Sequence, residues 1–321
     1  MALTATQSAD TDNRRATLFA LAAVLCWSTV ASAFKLSLQY LSPLQLVTIA
    51  SIVSTLFMAG VIIWRGHTAR VASAWRRSRG WFIALGFCNP FLYYLVLFNA
   101  YDLLPAQQAQ PLNYTWGVVL ALLSVPVLKQ TLRRQDLVAG IVCYTGVLVI
   151  ATQGNLGDLR FEQPLGVALA LLSTIIWACY WLLNTRIGGN AAVNLFLTFC
   201  CGLPWLAAAL WWQGGWQWPP LAGWVGAVYV GLFEMGIAFL LWQAALMHCD
   251  NTARISNYIY LSPPLSLLLI ALLVGEHIHP ATMAGLGLIL LGVAIQQGMV
   301  KAMAKRVARR LRLGRPATRN K

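Results

Sequence analysis

The chain has 321 residues, of which 59% are hydrophobic and 10% are charged, and its formal net charge is +14. A soluble domain carries roughly 25% charged residues, so this composition excludes a soluble protein with an ordinary polar surface. It indicates a helical membrane protein that crosses the bilayer several times.

Ten apolar stretches follow one another, and a helix needs about 20 such residues to cross a bilayer. Runs such as LSLLLIALLVG do not alternate in polarity, as the strands of an outer-membrane barrel would. The predicted fold is therefore an all-α integral membrane protein with ten transmembrane segments. Numbered 1 to 10, they cover residues 16–38, 42–64, 80–101, 105–128, 136–153, 164–186, 192–212, 221–248, 251–274 and 281–300.

The basic residues predict the orientation. If both termini are cytoplasmic, all but Lys35 and Arg160 of the 23 Lys and Arg residues fall on the inner side. This distribution obeys the positive-inside rule. The basic tail and loops then face the anionic inner leaflet of a plasma membrane. The net charge is thus explained without a nucleic-acid partner.

The two halves of the chain resemble each other. Trp27 of segment 1 aligns with Trp177 of segment 6, and an Asn-Tyr pair occurs in both segment 4 and segment 9. Each half has five segments, so the second half would enter the membrane from the opposite side. Such inverted repeats are typical of secondary transporters, with substrate bound near the midplane between the halves. The predicted parts are an N-terminal cytoplasmic tail (1–13), a first repeat (14–153), a periplasmic linker (154–163), a second repeat (164–300) and a basic cytoplasmic tail (301–321).

The Asn-Tyr pairs are the first candidates for the substrate site. Asn113-Tyr114 lies in a segment that contains three prolines, and Asn257-Tyr258 precedes Pro263-Pro264. Proline frees backbone carbonyls, and such backbone is tolerated in a membrane only inside protein or beside a wet cavity. The pairs are therefore predicted to contact substrate or form a gate. The alternative is that they only join helices by hydrogen bonds.

Helical spacing adds further candidates for substrate contact. Trp177 and Trp181 share one face of segment 6, and aromatic faces attract an ammonium group. Amides at a helix interruption would take a carboxylate. The remaining predicted contacts are Tyr94, Asn99, Gln110 and Gln243, with Trp27 and Trp242 as weaker candidates.

Two lone charges lie in the apolar segments. Glu234 is deep in segment 8, where a charged, lipid-facing carboxylate would cost at least about 2.5 kcal/mol. It is a candidate proton site or ammonium partner, the alternative being a structural carboxyl. Lys35, near the outer end of segment 1, either extends to the membrane interface or contacts substrate.

These features together resemble the drug/metabolite transporter superfamily, and within it the EamA-type transporters. The resemblance rests on the Trp27 and Trp177 repeats, each followed by a cation, and on VGEHI at the end of segment 9. The stretches RRATLFALAAVLCWSTV and LNYTW are most similar to the aromatic amino acid exporters. Glu276 of VGEHI has Gln130 as its counterpart, so we interpret it as a helix-end or topology element rather than as chemistry.

The resemblance implies a secondary transporter in the inner membrane that exports aromatic and other large neutral amino acids by alternating access. We expect it to be a monomer. It needs no cofactor and no metal. The alternative is an exporter of other small metabolites or cationic drugs, coupled to protons through Glu234. An enzyme is disfavoured, since the sequence has no HExxH motif and no pair of deep acids, and His277 and His279 lack metal-site spacing. A channel stays open, although no ring of acids indicates an ion filter.

Overall fold

The computed structural model describes residues 2–128, 134–155, 163–184, 187–216, 218–249, 255 and 257–296. Side chains are described from residue 13 onward within these ranges, except at 121, 124, 128 and 257. The described residues form helices joined by short turns, and none of them is in a strand. This confirms the prediction of an all-α membrane protein.

The first half contains seven α-helices, and a π-helical turn joins the third to the fourth. Helix α2 begins with a capping box, in which Ser42 and Gln45 exchange hydrogen bonds of 3.3 and 3.1 Å between side chain and backbone. The helices are α1 (Ala2–Ser37), α2 (Pro43–Trp64), α3 (Thr68–Gly86), π1 (Phe87–Leu92), α4 (Tyr93–Leu103), α5 (Ala106–Asn113), α6 (Trp116–Leu128) and α7 (Arg134–Ala151).

The second half has wide π-helical turns in two places. One joins α10 to α11, and the other follows α12. The helices are α8 (Pro164–Asn184), α9 (Ala191–Trp212), α10 (Leu221–Tyr229), π2 (Val230–Ile237), α11 (Ala238–His248), a 3-10 turn (Asn257–Leu261), α12 (Ser262–Leu269), π3 (Ile270–Val274) and α13 (Pro280–Gln296).

Seven helices within the described ranges are long and apolar enough to cross a membrane. Two shorter apolar helices, Tyr258–Val274 and Pro280–Gln296, follow them. Predicted segment 4 is not one continuous helix, because it is divided into α5 and α6 at Tyr114 and Thr115. The Thr115 hydroxyl donates to the Leu112 carbonyl at 2.9 Å, and such local bonds compete with helix continuation.

Corresponding helices of the two halves each pack against the opposite half. Helix α1 packs on α11 and α12 of the second half, while α8 packs on α4 and α6 of the first. In the same way π2 packs on α2, and π1 packs on α9. Helices α7 and α13 pack on each other, and Gly146 and Gly285 allow this approach. A Cβ at Gly285 would lie 2.7 Å from the Gly146 carbonyl oxygen, as expected where small residues bring membrane helices together.

Candidate functional site

A cavity of about 350 Å³ lies between the two halves. Helices α1, α4, α5 and α6 of the first half form its walls together with α8, π2, α11 and the 3-10 turn of the second. Its lining residues are mostly aromatic or aliphatic, with three polar exceptions. They are Trp27, Val30, Ala31, Phe34, Tyr93, Leu97, Tyr101, Gln110, Asn113, Tyr114, Trp116, Leu120, Trp177, Trp181, Glu234, Phe239, Trp242, Ile259 and Tyr260.

Trp177 is at the centre of the aromatic wall. Its ring stacks on Tyr93 of α4 with centroids 4.5 Å apart, and Trp181 meets it edge to face at 5.9 Å. A second aromatic pair, Trp27 and Trp242, has centroids 5.4 Å apart. Aromatic pairs in these arrangements hold each other in place, so the cavity offers fixed ring faces to an aromatic group or to an ammonium.

Two amides project from α5 into this aromatic surrounding. Asn113 is the last residue of α5, and its Nδ2 donates to Ser173 Oγ of α8 at 2.9 Å. Gln110 lies one turn earlier, is 3% exposed, and its Oε1 has no hydrogen-bond partner among the described residues. A buried unpaired acceptor is costly. The Gln110 Oε1 atom can therefore accept a hydrogen bond from a donor that enters the cavity.

Glu234 lies in the wide turn π2, whose geometry is stabilised by its neighbours on α2. The Ser54 hydroxyl donates to the Met235 carbonyl at 2.8 Å, and a Cβ at Gly231 would lie 2.5 Å from the Ala50 carbonyl. Wide turns of this kind occur frequently at functional sites. This turn presents the Glu234 carboxyl to the cavity.

The Glu234 carboxyl has one partner and one open position. The Tyr94 hydroxyl donates to its Oε1 at 3.1 Å, whereas its Oε2 is buried and has no partner among the described residues. Glu234 is 9% exposed. The described lining of the cavity includes no Lys, Arg or His. A buried carboxylate needs a compensating charge or a proton, and here it would come from a ligand or from solvent.

Six of the eleven predicted site residues line this cavity. Tyr94 does not line it and instead bonds Glu234 from the layer behind. Asn99 also lies outside the lining, because its Nδ2 donates to the Leu95 carbonyl of its own helix at 2.7 Å. The six are Gln110, Asn113, Tyr114, Trp177, Trp181 and Glu234.

The other three predicted residues lie in the middle of α11 and at the start of the 3-10 turn. Gln243 lines a neighbouring cavity of about 190 Å³, which shares Trp181 and Trp242 with the first. Tyr258 packs with Trp242 against a small apolar cluster that includes Ala245. Asn257 begins the 3-10 turn, and its side chain lies outside the described ones. Tyr114 and Tyr258 therefore have different surroundings.

Several lining residues were not among the predicted contacts. Tyr93, Leu97 and Tyr101 form one stripe of α4, at spacings of one helical turn. That i, i+4, i+8 spacing is visible in the sequence, but the neighbouring row that begins with Tyr94 and Phe98 has the same spacing. Phe239 and Trp116 carry no comparable signal.

A group of polar residues, the Lys35–Glu276 cluster, lies beyond Phe34 and Tyr101. We define it as Lys35, Gln107 and Glu276 with the groups that they bond. Lys35 Nζ donates to the carbonyls of Tyr101 and Leu104 at 2.8 and 2.9 Å. These are unpaired carbonyls at the end of α4, where a cation is favoured. Lys35 thus binds a helix end rather than lining the cavity.

Glu276 bonds a helix end in the other half of the chain. Helix α5 begins after Pro105 without a side-chain cap of its own. Glu276 supplies the cap, since its two oxygens accept from the Ala106 and Gln107 amides at 2.8 and 3.1 Å. The interpretation of Glu276 as a helix-end residue thus applies to α5, not to the helix that precedes it. Gly275, with φ of +79°, turns the chain so that Glu276 follows directly after π3.

No group of three His, Cys, Asp or Glu side chains that could hold a metal occurs among the described residues. In the described structure His279 Nδ1 accepts from the Ala281 amide at 3.2 Å, which is a local turn contact. The arrangement can bind an amphiphilic molecule, but it does not assemble a nucleophile with a base.

The chain is similar to known transporters. The EamA-like transporter family matches the chain twice, over residues 14–152 and 164–296. The aromatic amino acid exporter YddG of Ancylobacter novellus is 25% identical over 261 residues, covering 79% of this chain and 87% of that protein. An uncharacterized transporter of Archaeoglobus fulgidus is 26% identical over 280 residues, covering 85% of this chain and 95% of the relative.

The fold also matches a solved structure. A crystal structure with 24% sequence identity superposes with a TM-score of 0.61 and covers 92% of this chain and 98% of that chain. The uncharacterized transporter YvbV of Bacillus subtilis is 22% identical over 287 residues, 87% of this chain and 90% of that protein. The chain belongs to the EamA-like transporter family, and it is a multi-pass membrane transporter of the plasma membrane and not an enzyme.

Proposed function

We propose that this transporter exports aromatic and other large neutral amino acids from the cytoplasm by alternating access. The observation that carries the proposal is the aromatic cavity between the two halves, with its polar groups confined to Gln110, Asn113 and Glu234. A cavity of about 350 Å³ is in the range of small-molecule sites, which have mostly apolar walls and a few placed polar groups. The relative from Ancylobacter novellus is named as an aromatic amino acid exporter.

The proposed architecture is ten transmembrane segments in two inverted repeats, with both termini in the cytoplasm. Two successive family matches and the exchanged packing of the halves support the duplication. The distribution of Lys and Arg supports the orientation. The repeats are 14–153 and 164–300, with the tails and the linker 154–163 between and around them. The proposed unit is a monomer whose basic tail and loops face the anionic inner leaflet.

The proposed binding mode uses both the aromatic side chains and the polar groups of the cavity. The substrate ring lies against Trp177 and Trp27, where the faces of fixed aromatic side chains are offered. Its ammonium is placed between the unpaired oxygens of Gln110 and Glu234. Its carboxylate meets the Asn113 amide at the end of α5. Each group of an aromatic amino acid thus has a partner in the cavity.

The described structure supports alternating access because buried side chains close one end of the cavity, whereas the other end continues into a second cavity. At the Lys35 end, Phe34 and Tyr101 are 2% and 3% exposed and their ring centroids are 5.2 Å apart. At the other end, a further cavity of about 120 Å³ shares Tyr114, Trp116 and Tyr260 with the first. In the proposed topology the cavity is closed toward the periplasm and continues toward the cytoplasm.

Efflux from proteoliposomes tests the proposed substrate. Purified transporter is reconstituted into vesicles loaded with labelled phenylalanine, and release is followed with and without competing analogues. We expect saturable release that unlabelled tryptophan and tyrosine inhibit, and that phenylpropionate, which lacks the ammonium, does not. Release at the rate of protein-free vesicles, from vesicles with folded protein, would contradict the proposal.

A second candidate function is proton-coupled export of other small metabolites or cationic drugs through Glu234. The unpaired Oε2, in a described lining without a cationic side chain, favours it. Coupling predicts that an imposed pH gradient accelerates efflux and that Glu234→Gln removes this acceleration. Among the described ionisable side chains, Tyr94 bonds Glu234 directly, and Tyr93, Tyr101 and Tyr114 line the same cavity. A pH response unchanged in Glu234→Gln would exclude this carboxyl as the coupling site.

A further inference from the structure

We infer that Glu276 and Gln107 form the periplasmic gate of the transporter, and that they hold α5, which carries Gln110 and Asn113, in place while the gate is closed. The inference rests on the alternating-access part of the proposed function, and not on the identity of the substrate. It assigns a positioning role to two side chains that do not line the cavity.

The first observation is where the polar bonds between the repeats converge. Besides donating two bonds to Glu276, the first turn of α5 makes three more bonds with the other half. Gln107 Nε2 donates to the His277 carbonyl at 2.8 Å, and its Oε1 accepts from the His279 amide at 2.8 Å and the Thr282 hydroxyl at 3.2 Å. All five bonds join the first repeat to the second, and all lie within one helical turn.

The second observation is that this turn is separated from the helix before it. Helix α4 ends at Leu103, and Pro105 precedes α5. A proline has no amide to continue the helical bonding. Lys35 fixes the end of α4 from within the same repeat. The start of α5 depends on Glu276 and Gln107, so breaking their bonds releases the first turn of α5 from the second repeat without dismantling α4.

The third observation is the position of the cluster relative to the cavity. Phe34 and Tyr101 line the cavity, and the carbonyl of Tyr101 is one of those bonded by Lys35. The cluster therefore lies directly behind the buried aromatic layer at this end. A path from the cavity to the periplasm must separate the layer and the cluster together. Hydrogen bonds to a charged group are the stronger kind, which suits a gate that has to stay closed while the opposite end is open.

Cysteine accessibility tests the gate directly. Val30, in the cavity wall, is replaced by cysteine in a protein whose seven native cysteines, except Cys143, are changed to alanine. A membrane-impermeant maleimide is then added from the periplasmic side. Glu276→Gln leaves one accepting oxygen in place of two and should accelerate labelling at position 30 about tenfold, the effect of losing one charge-assisted hydrogen bond.

The matched control is Asp102→Asn. It removes the same charge next to Lys35, yet the Asp102 carboxylate takes no part in capping α5. We expect no change in labelling with this variant, while Glu276→Asp, which keeps the carboxylate, should restore part of the closure. Equal labelling in Glu276→Gln and the parent would overturn the gate. So would a parallel rise at Cys143, which is buried on α7 and reports general loosening.

A cross-link gives an independent test. Gln107→Cys and Thr282→Cys are joined by a short bifunctional thiol reagent, at side chains whose oxygens lie 3.2 Å apart. Transport should stop when the link forms and return when a cleavable reagent is reduced. Transport that continues in fully cross-linked protein would show that this end does not open, and the gate would be wrong. Labelling needs no substrate, so its failure is distinguishable from a wrong substrate class.

Discussion

Asn113→Ala separates substrate contact from helix packing, because Ser173→Ala removes the same hydrogen bond from the other side. The bond joins Asn113 Nδ2 to Ser173 Oγ at 2.9 Å, and the Ser173 hydroxyl keeps its own acceptor, the Ala170 carbonyl at 2.7 Å. A hydrogen bond between membrane helices contributes about 0.6 kcal/mol on average. If the bond to Ser173 is the whole role of Asn113, each variant changes transport by about threefold, and to the same extent.

The binding proposal predicts a different outcome. Ser173→Ala leaves the Asn113 amide in the cavity, whereas Asn113→Ala removes the group that meets the substrate carboxylate. Losing a hydrogen bond to a charged group costs about 1.5–3 kcal/mol, so the apparent affinity for phenylalanine should fall at least tenfold in Asn113→Ala only. Efflux from proteoliposomes over a range of substrate concentrations measures this. Equal and small effects of the two substitutions would refute the reasoning, and the amount of monodisperse protein checks folding.

Two further predictions concern the cavity wall and the helix contacts. Trp177→Ala should raise the half-saturating concentration of phenylalanine up to about tenfold, since it removes an aromatic contact worth about 0.5–1.5 kcal/mol; Trp64→Ala, at an 82% exposed position, is the control and should leave it unchanged. Gly285→Leu should destabilise the protein by about 1–3 kcal/mol through overpacking, because its Cβ would lie 2.7 Å from a backbone oxygen of α7. Gly287, where a Cβ would meet open space, provides the matched variant Gly287→Leu. The Tm in detergent should fall in Gly285→Leu only.

The membrane class and much of the cavity follow from local patterns in the sequence. Trp177 and Trp181 are one turn apart, and both line the cavity as expected from that spacing. Glu234 is recognisable because an acid in an apolar stretch must find a cavity or a partner. These inferences need only periodicity and burial, which a single sequence contains.

The choice between Tyr93 and Tyr94 could not be made in the same way. The two neighbours project about 100° apart on a helix, and π1 precedes α4 immediately. A π-turn contains an extra residue, so it rotates every later side chain relative to a regular helix. Tyr93 therefore faces the cavity, and Tyr94 bonds Glu234 behind it.

Long-range partners were also beyond the sequence. Nothing near Glu276 in the chain indicates that it caps α5, since the amides it bonds belong to Ala106 and Gln107 in the other half. The partners of Lys35 could not be predicted for the same reason, because the carbonyls that it binds become unpaired only where α4 ends. Such contacts depend on how the two halves pack, and not on the pattern within one helix.

Counterflow in proteoliposomes tests the central claim, that this is a carrier of aromatic amino acids working by alternating access. Vesicles filled with unlabelled phenylalanine are diluted into a trace of labelled phenylalanine, and the label inside is followed over time. A carrier exchanges inner for outer substrate, so the label should accumulate transiently above its outside concentration and then decline. Label that only rises to equilibrium would indicate a channel, and no uptake by folded protein would contradict the proposed substrate.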